Sequence, residues 1–479
     1  MNTPILYILA LCSLVVGHAA YSQQSETRVQ QSSTDSLQQI LTFEEYLGYV
    51  KQYHPLIKQA NLQLSVGEAT LLRARGGFDP KIEVDYDRKK FKGTEYYDQL
   101  NGAFKIPTWY GIELNAKYEE NSGQFLDPSL TVPEDGLYSA GVSFSLAQGF
   151  LMNERMAMLK KARVFMDQTE ADRTLLVNTL IFEASKAYFE WAEAANEQDI
   201  YENFLQNALI RYEGVQRNVE VGEKAAIDAT EARIIYQTRQ LDLEAAQLKK
   251  RKAALKTSNF LWLNEVPLEI QDDVQPELPT MQMLDASLRL QTNQMQNDLE
   301  TNHPKLRSLT AKIEGLAIDR RLKRNKLLPK LDLQYNFLTQ EAEQVNTLNT
   351  ANYKVGVNFS FPLFLRKERG EVQLAKYKLQ DATFERMSVT VELQNKIEAT
   401  RVEIASLTEQ NALILDMAGN YRKLLIAEER KFELGESSLF LINSREQKLI
   451  EILLKANALQ VKLLHANASL FNVLGVSIE

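Results

Sequence analysis

The scarcest chemistry-bearing residues in this chain of 479 residues are four histidines and one cysteine. Two of the histidines stand in the same dipeptide, His54-Pro55 and His303-Pro304. A histidine pair can suggest a metal site, because neutral imidazole is a common ligand. The sequence places no third ligand beside them, and His465 stands alone in a helical pattern. A histidine before a proline, written twice in register, reads instead as a repeated kink or helix start. There is no G-x-S-x-G, no phosphate-binding loop, no H-E-x-x-H and no cysteine nucleophile. No enzymatic activity, metal or cofactor is therefore expected.

The cysteine, Cys12, lies inside an apolar block of residues 5–16 that is followed by small residues. That is the layout of a secretory signal occupying residues 1–22, cut after Ala20 or Ser22, although no Lys or Arg precedes the block. Leu11 precedes the cysteine where a lipid-anchor site normally has small residues. The mature chain then has no thiol, which excludes disulfides and thiolate metal sites. The net charge of −8 with no long basic run argues against a nucleic-acid partner. After residue 23 no stretch is apolar enough for a membrane helix.

The repeated His-Pro belongs to a larger duplication. HPLIKQANLQLSVGEATLLRARGGFDPKIEVDY from His54 parallels HPKLRSLTAKIEGLAIDRRLKRNKLLPKLDLQY from His303, at an offset of 249 positions that also relates Pro80-Lys81 to Pro329-Lys330. VSFSL (142–146) matches VNFSF (357–361) at offset 215, and VEVGEKAAID (219–228) matches FELGESSLFL (432–441) at offset 213. SNFLWL (258–263) then resembles SLFNVL (469–474) at offset 211. The first copy thus carries about 34 extra residues between the first and second anchors. The organisation read from this is an N-terminal linker over 23–41, a first repeat over 42–263, a connector over 264–284 and a second repeat over 285–476.

Each repeat has one grammar. A moderate helix (43–75 or 285–326) leads into alternating runs, then a very long helix (154–214 or 368–432), a glycine turn and a closing helix (224–262 or 438–474). Leu393, Ile397, Ile404, Leu407, Ile414, Met417, Tyr421, Leu425 and Phe432 form a seam at coiled-coil spacing. Phe182, Ser185, Tyr188, Ala192, Ala195, Leu205, Leu209, Tyr212 and Val215 do so in the first repeat. Some 60 helical residues span roughly 90 Å, far beyond a globular helix, so each rod must pack along neighbours. The alternating runs, over about 80–147 and 330–362, have period 2: Ile82, Val84, Tyr86; Tyr138 to Leu146; Leu331 to Phe337; Tyr353 to Phe361. Ten-residue strands apolar on one face suit a membrane barrel, or else a soluble sheet packed on the helices. A few strands cannot close a barrel alone, so several copies must contribute.

With the duplicated helix–strand–helix plan, NFSFPLF (358–364) entering a long helix and the two glycine turns, the chain resembles the TolC family of outer-membrane efflux channels over about 42–476. The fold class this implies is mainly α with a membrane β-barrel: an internally duplicated helix–strand–long helical hairpin, assembled as a trimeric α-helical barrel in the periplasm plus an outer-membrane β-barrel. The implied partners are two further copies in a homotrimer, outer-membrane lipid, and a periplasmic adaptor protein with its inner-membrane pump, in tripartite efflux or type I secretion. The resemblance places the hairpin tips at the periplasmic end. There Gly222, Glu223, Lys224 and Ala225, with Gly435, Glu436, Ser437, Ser438 and Leu439, would meet the adaptor, the glycines allowing tight reversal. The periplasmic gate would fall at Asp228 and Glu231 in the first repeat. The second repeat has Leu441 and Ser444, with Arg445 adjacent, where family members can carry aspartates. An acidic ring from that repeat is not supported, and an apolar constriction at Leu441 is the replacement.

The extra segment reads as two strands. Leu100, Gly102, Phe104 and Ile106 alternate, KIPTWYG turns, and Ile112, Leu114, Ala116 and Tyr118 alternate again. The polar stretch 120–136 suits an outer loop and the short turn a periplasmic one, with Trp109 and Tyr110 at a membrane interface. Four strands in the first repeat and two in the second give about 18 in a trimer, against about 12 if residues 96–119 form a hairpin outside the wall. The alternative function is a secreted or surface coiled-coil structural protein without a pore. It accounts for the rods and leaves the alternating strands unexplained.

Overall fold

The computed structural model describes residues 39–288 and 302–476. The expected signal segment and part of the first helix of the second repeat lie outside the described residues. The helices are α1 (Phe43–Tyr53), α2 (Pro55–Arg75), α3 (Glu154–Glu220), α4 (Ala226–Ser258), α5 (Met281–Leu288), α6 (Pro304–Asn325), α7 (Arg366–Glu433) and α8 (Leu439–Leu474). The strands of the large sheet are β1 (Lys81–Phe91), β2 (Thr94–Pro107), β3 (Ile112–Ser122), β4 (Leu137–Ala147), β5 (Lys330–Thr339) and β6 (Tyr353–Ser360).

Both His-Pro dipeptides are helix starts. His54 ends α1, and its Nδ1 accepts the Leu56 N–H at 3.2 Å to begin α2. His303 Nδ1 accepts the Lys305 N–H at 3.1 Å to begin α6, while its Nε2–H donates to Val473 O at 3.0 Å. A proline at N1 lacks only an N–H that the helix would not have used. Burial lowers the pKa of both rings, in keeping with the neutral tautomer that these bonds require. The first long helix runs past Gly214, where it was expected to end, to Glu220. An isolated glycine costs a helix about 1 kcal/mol, too little to stop it.

The six strands form one antiparallel sheet in the order β6-β5-β4-β3-β2-β1, a strict up-and-down meander. The extra residues of the first repeat are its β2 and β3, hydrogen-bonded on both sides within the sheet. They do not form a hairpin outside it. The repeats join where β4 pairs with β5, Ala140 opposite Phe337. Register holds the two faces apart across the whole sheet. One row runs Ile82, Phe104, Ala116, Ala140, Phe337, Tyr353. The next runs Ile106, Leu114, Val142, Tyr335, Val355. Between them lies the polar row Lys105, Asn115, Gly141, Asn336, Lys354. On the polar face Lys105 pairs with Glu83, Asn115 donates to Ser143 Oγ at 3.3 Å, and Ser145 donates to Asp332.

Below the sheet the helices lie side by side. Near the strands the order of contact is α2, α3, α6, α7; farther down it is α4, α3, α8, α7. Between these levels Tyr46, Tyr188, Phe189, Trp191, Leu284 and Phe471 form the largest core. Along α7 the buried or half-buried face is Ile397, Thr400, Ile404, Leu407, Asn411, Ile414, Ala418, Tyr421, Leu425, Glu428 and Phe432. The steps alternate strictly between three and four residues, the geometry of a left-handed coiled coil. Met417, expected in this seam, is 41% exposed, and Ala418 fills its place. In α3 the expected Ser185, Tyr188, Ala192, Ala195 and Val215 are buried, but between them the buried positions are Phe204 and Ala208, with Leu205 and Leu209 on the flank. Size misled the reading in both helices: the seam takes the residue at the right phase, even when it is an alanine beside a larger neighbour.

Gly141 is the point where the sheet is tightest. A Cβ there would stand 2.1 Å from both Asn336 Oδ1 and Tyr335 O. One of these atoms is backbone, so the strand itself must shift. Gly141→Ala is expected to cut the amount of heat-resistant assembled protein in membranes severalfold, as read on unheated gels, whereas Gly102→Ala on β2, whose Cβ position meets only Tyr118 O at 3.9 Å, should assemble normally.

Candidate gate and docking site

The two helical hairpins, α3–α4 and α7–α8, end in the same backbone motif. After the last helical residues Gly222 (φ +83°) and Gly435 (φ +77°) take the left-handed conformation. The Glu223 N–H donates to Asn218 O at 2.8 Å and the Gly222 N–H to Val219 O at 3.0 Å. In the second hairpin the Glu436 N–H donates to Lys431 O at 2.8 Å and the Gly435 N–H to Phe432 O at 3.0 Å. This is a Schellman closure, which satisfies the last carbonyls of a helix and requires positive φ at the glycine. Ser438 then caps α8 by accepting the Leu441 N–H at 3.4 Å, whereas Ala225 caps α4 with no side-chain bond.

The residues expected to meet a partner divide into two groups. Gly222, Glu223, Ala225, Gly435, Glu436 and Ser438 are exposed, and Lys224 and Ser437 are half-buried. The Lys224 ammonium lies 4.0 Å from the Phe432 ring centroid, tying one tip to the other. Ser437 donates to Glu428 Oε1 at 2.6 Å, and Arg445 stands 3.8 Å from the same carboxylate. Leu439 does not face outward. It is 6% exposed and packs with Val215 and Ala232 between the hairpins. As the first residue of α8 it falls at the seam position, and Phe440 beside it is exposed instead.

Among the residues expected at the gate, Asp228 and Glu231 are half-buried near the start of α4, and Leu441 and Ser444 are exposed on α8. The strongest electrostatic feature near the tips was not anticipated. Glu446 is fully buried between Arg211 and Arg239. Its signal was present in the heptad phase, which puts an arginine of α3, an arginine of α4 and a glutamate of α8 on faces that otherwise carry Phe, Ala and Leu. Glu429 joins Arg211 at 3.8 Å; burial pushes its carboxyl up, against the opposing pull of that arginine.

At the other end, Trp109 turns inward. It stacks on Phe78 at 5.4 Å between centroids and packs against Leu71 and Leu159, filling the junction of sheet and helices. Only Tyr110 of the expected interface pair is well exposed, with Phe150 6.1 Å away.

Residues 295–476 match the family model of the outer membrane efflux protein. The fold also matches solved channels over about nine tenths of the chain. The family match covers the second repeat, and the chain as a whole has the fold of the TolC-family channels. The Campylobacter jejuni CmeC outer membrane channel superposes with a TM-score of 0.63 at 14% identity, over 90% of this chain and 85% of that one. The outer-membrane channel OprN gives 0.65 at 14%, over 90% and 89%. The open state of the Neisseria gonorrhoeae MtrE outer membrane channel gives 0.61 at 13%, over 90% and 88%. At these identities the likeness is one of fold. No curated protein matches the chain in sequence. The family is one of transport channels and not an enzyme class, and its members lie in the outer membrane.

Two predictions follow from the tips. At Gly222 and Gly435 nothing in the chain lies within 4 Å of a Cβ position, so within the chain substitution acts through φ. A left-handed non-glycine residue costs about 1–2 kcal/mol, and more when β-branched. Gly222→Val and Gly435→Val should therefore reduce export while leaving the protein inserted in the membrane; normal export by both at normal protein levels rules out a role for the turns. Replacing Asp228 and Glu231 together by alanine should lower cation preference in single-channel recordings, and unchanged selectivity would return both to an ordinary solvated face.

Proposed function

We propose that three copies of this chain form one outer-membrane efflux conduit, receiving cargo at the helical tips from a periplasmic adaptor and an inner-membrane pump. The observation that carries the reading is the unfinished sheet. Its two outer strands, β1 and β6, have no partner on one side among the described residues. Ile82, Val84, Tyr86, Tyr353, Val355, Val357 and Phe359 on these strands are all more than half exposed. Joining β6 of one copy to β1 of the next satisfies both edges. Three copies then close about 18 strands, with the apolar rows toward lipid and the polar rows toward a lumen.

The helices support the same count of partners. On α4 the exposed residues Ile227, Ile234, Leu241, Leu248 and Leu255 recur every seventh position. This stripe lies on the outer helix of the layer, whose other margin is α7. Burying five such side chains against a neighbouring copy contributes on the order of 10 kcal/mol per seam. A poreless coiled-coil protein would use that stripe but would have no use for a sheet with one apolar and one polar face.

Single cysteines at Leu114 and Tyr118 should react with a lipid-phase probe, and cysteines at Glu113 and Lys117 with a water-soluble reagent. Chemical cross-linking in native membranes should give a trimer. Labelling of Leu114 and Tyr118 only from water, or a monomer that conducts in a planar bilayer, would defeat the barrel reading.

A further inference from the structure

Charge is unevenly placed along this chain. The four helix segments nearest the sheet, residues 66–79, 154–165, 316–326 and 366–378, carry 16 Lys and Arg against six Asp and Glu, a surplus of ten positive charges in a chain of net charge −8. Some of these cations are paired across neighbouring helices. Lys161 of α3 stands 3.6 Å from Asp319 of α6, and Lys323 of α6 stands 2.9 Å from Glu371 of α7. Arg73, Lys161 and Lys312 line one cleft of about 570 Å³. Lys323, about three turns after Lys312, lies on the same side of α6. These groups therefore share one face of the helix layer.

A second set stands on the other face. Two residues along each helix, about 200° around it, come Arg75 after Arg73, Arg163 after Lys161, Arg321 before Lys323 and Arg369 before Glu371. All four arginines are exposed, and among the described residues none has a carboxylate within 4 Å. They are nearly level. Ala74 packs with Ala162, Lys161 pairs with Asp319 and Lys323 with Glu371, which puts the four within roughly 12 Å in height at 1.5 Å per residue. On α2, α6 and α7 the arginine is six to nine residues from the nearest strand.

The hand of the chain decides which face is outward. On the face of the polar rows, the Ser145 N–H of β4, which runs toward the helices, donates to Gly111 O beside β3 at 2.9 Å. On the same face the Leu338 N–H of β5, which runs away from them, donates to Asn352 O beside β6 at 3.0 Å. For L-residues these directions mean that, seen from the polar face with the helices below, β1 to β6 run from left to right. Beneath them α2, α3, α6 and α7 run the same way. In right-handed helices so ordered, Arg73, Lys161, Lys323 and Glu371 fall on the side of the polar rows. Arg75, Arg163, Arg321 and Arg369 fall on the side that continues the apolar rows.

We propose that these four arginines form an outward collar that binds the phosphate groups of anionic phospholipids in the inner leaflet of the outer membrane. This rests on the trimeric barrel reading above, in which three copies supply about 12 arginines around the tube. A guanidinium fits a phosphate oxygen pair with two parallel hydrogen bonds. The headgroup layer of one leaflet is about 5–8 Å thick, and a long arginine side chain can lie along apolar surface while its charged end reaches that layer. At the same junction Tyr110 and Phe150 are exposed, in keeping with the aromatic girdle that marks a barrel's membrane interface. An acidic peptide or free phosphate could meet any exposed arginine. The common height, and the placing of all four below the apolar face, favour lipid.

The test measures lipid retained by the purified full-length protein. Trimer in neutral detergent is incubated with mixed micelles of phosphatidylglycerol or of phosphatidylcholine, washed, and its bound lipid counted by mass spectrometry. The wild type should retain severalfold more phosphatidylglycerol, and the excess should fall with added salt. Changing Arg75, Arg163, Arg321 and Arg369 together to Gln should abolish the excess in the trimer that forms. Arg73→Gln with Lys367→Gln is the control on the other face, because Lys367 lies one turn before Glu371; it should keep the excess. Equal retention of the two lipids by the wild type, an unchanged excess in the fourfold variant, or an equal loss in the control would each overturn the proposal. The wild-type comparison needs no variant to fold. Removal of the excess by inorganic phosphate at the same ionic strength would overturn the lipid assignment in favour of a free-phosphate site. A wild-type protein recovered without detergent defeats the barrel reading itself, an outcome separate from a detergent-extracted trimer that shows no lipid preference.

Discussion

A sheet edge in hydrocarbon leaves backbone N–H and C=O groups with no partner, at several kcal/mol for each group, and the rest of this structure follows from that constraint. Six strands with the register seen here have two such edges. The chain cannot hide them by folding a helix over the sheet, because the outward face is apolar from Ile82 across to Tyr353 and is matched to lipid. In the proposed trimer, closure by further copies satisfies both edges. It dictates in turn that the helices below be long and arranged as a layer with two free margins, so that each copy contributes an arc to one tube.

The duplication eases that arrangement. Each repeat supplies a hairpin of helices, and the strands alternate in direction so that every helix enters or leaves on the same side of the sheet. The first repeat carries four strands and the second two. The inserted β2 and β3 change the circumference of the barrel without disturbing the hairpins, because they begin and end in line with their neighbours. Their turn at Thr108 to Gly111 faces the helices, where Trp109 fills the corner between Phe78 and Leu159. An aromatic residue at a strand end can serve lipid or the protein interior, and spacing alone does not decide which.

Much of this was legible in the sequence, because the two periods involved are strong signals. Period 2 marked all six strands of the large sheet, including the inserted pair, and the twin glycines marked both hairpin tips; the two short strand pairs Gln39–Leu41 with Val274–Pro276 and Trp262–Leu263 with Val266–Pro267 are too short to show a period. The His-Pro pairs read as helix starts, and both are. Phase along the rods was harder. A seam 60 residues long drifts between 3.5 and 3.6 residues per turn, and a large side chain one position off, such as Met417 or Leu209, outweighs the alanine that is in phase. Leu439 was misplaced for a related reason: a turn motif was read as wholly exposed, although its last residue already belongs to the seam. The Arg211–Glu446–Arg239 cluster escaped notice because charged residues in a helix are ordinarily assigned to the solvated face. Only the packing of four helices shows that these three share a buried point.

The tips show how a repeat can keep its backbone while its chemistry diverges. Both use a Schellman closure with glycine in the left-handed conformation, and both expose an apolar residue before the glycine and another five positions after it: Val221 and Ile227 in one, Leu434 and Phe440 in the other. The first turn of the returning helix then differs. α4 begins with Asp228 and Glu231, whereas α8 places Leu441 and Ser444 at the matching positions. In a closed ring the two kinds of tip would alternate, so that acidic and apolar side chains share the narrow end. A ring made wholly of acids would repel itself more strongly as its members approached. Interleaving leucine and serine halves the number of charges, removes more than half of that pairwise repulsion and allows a tighter approach, at the expense of the field that draws cations.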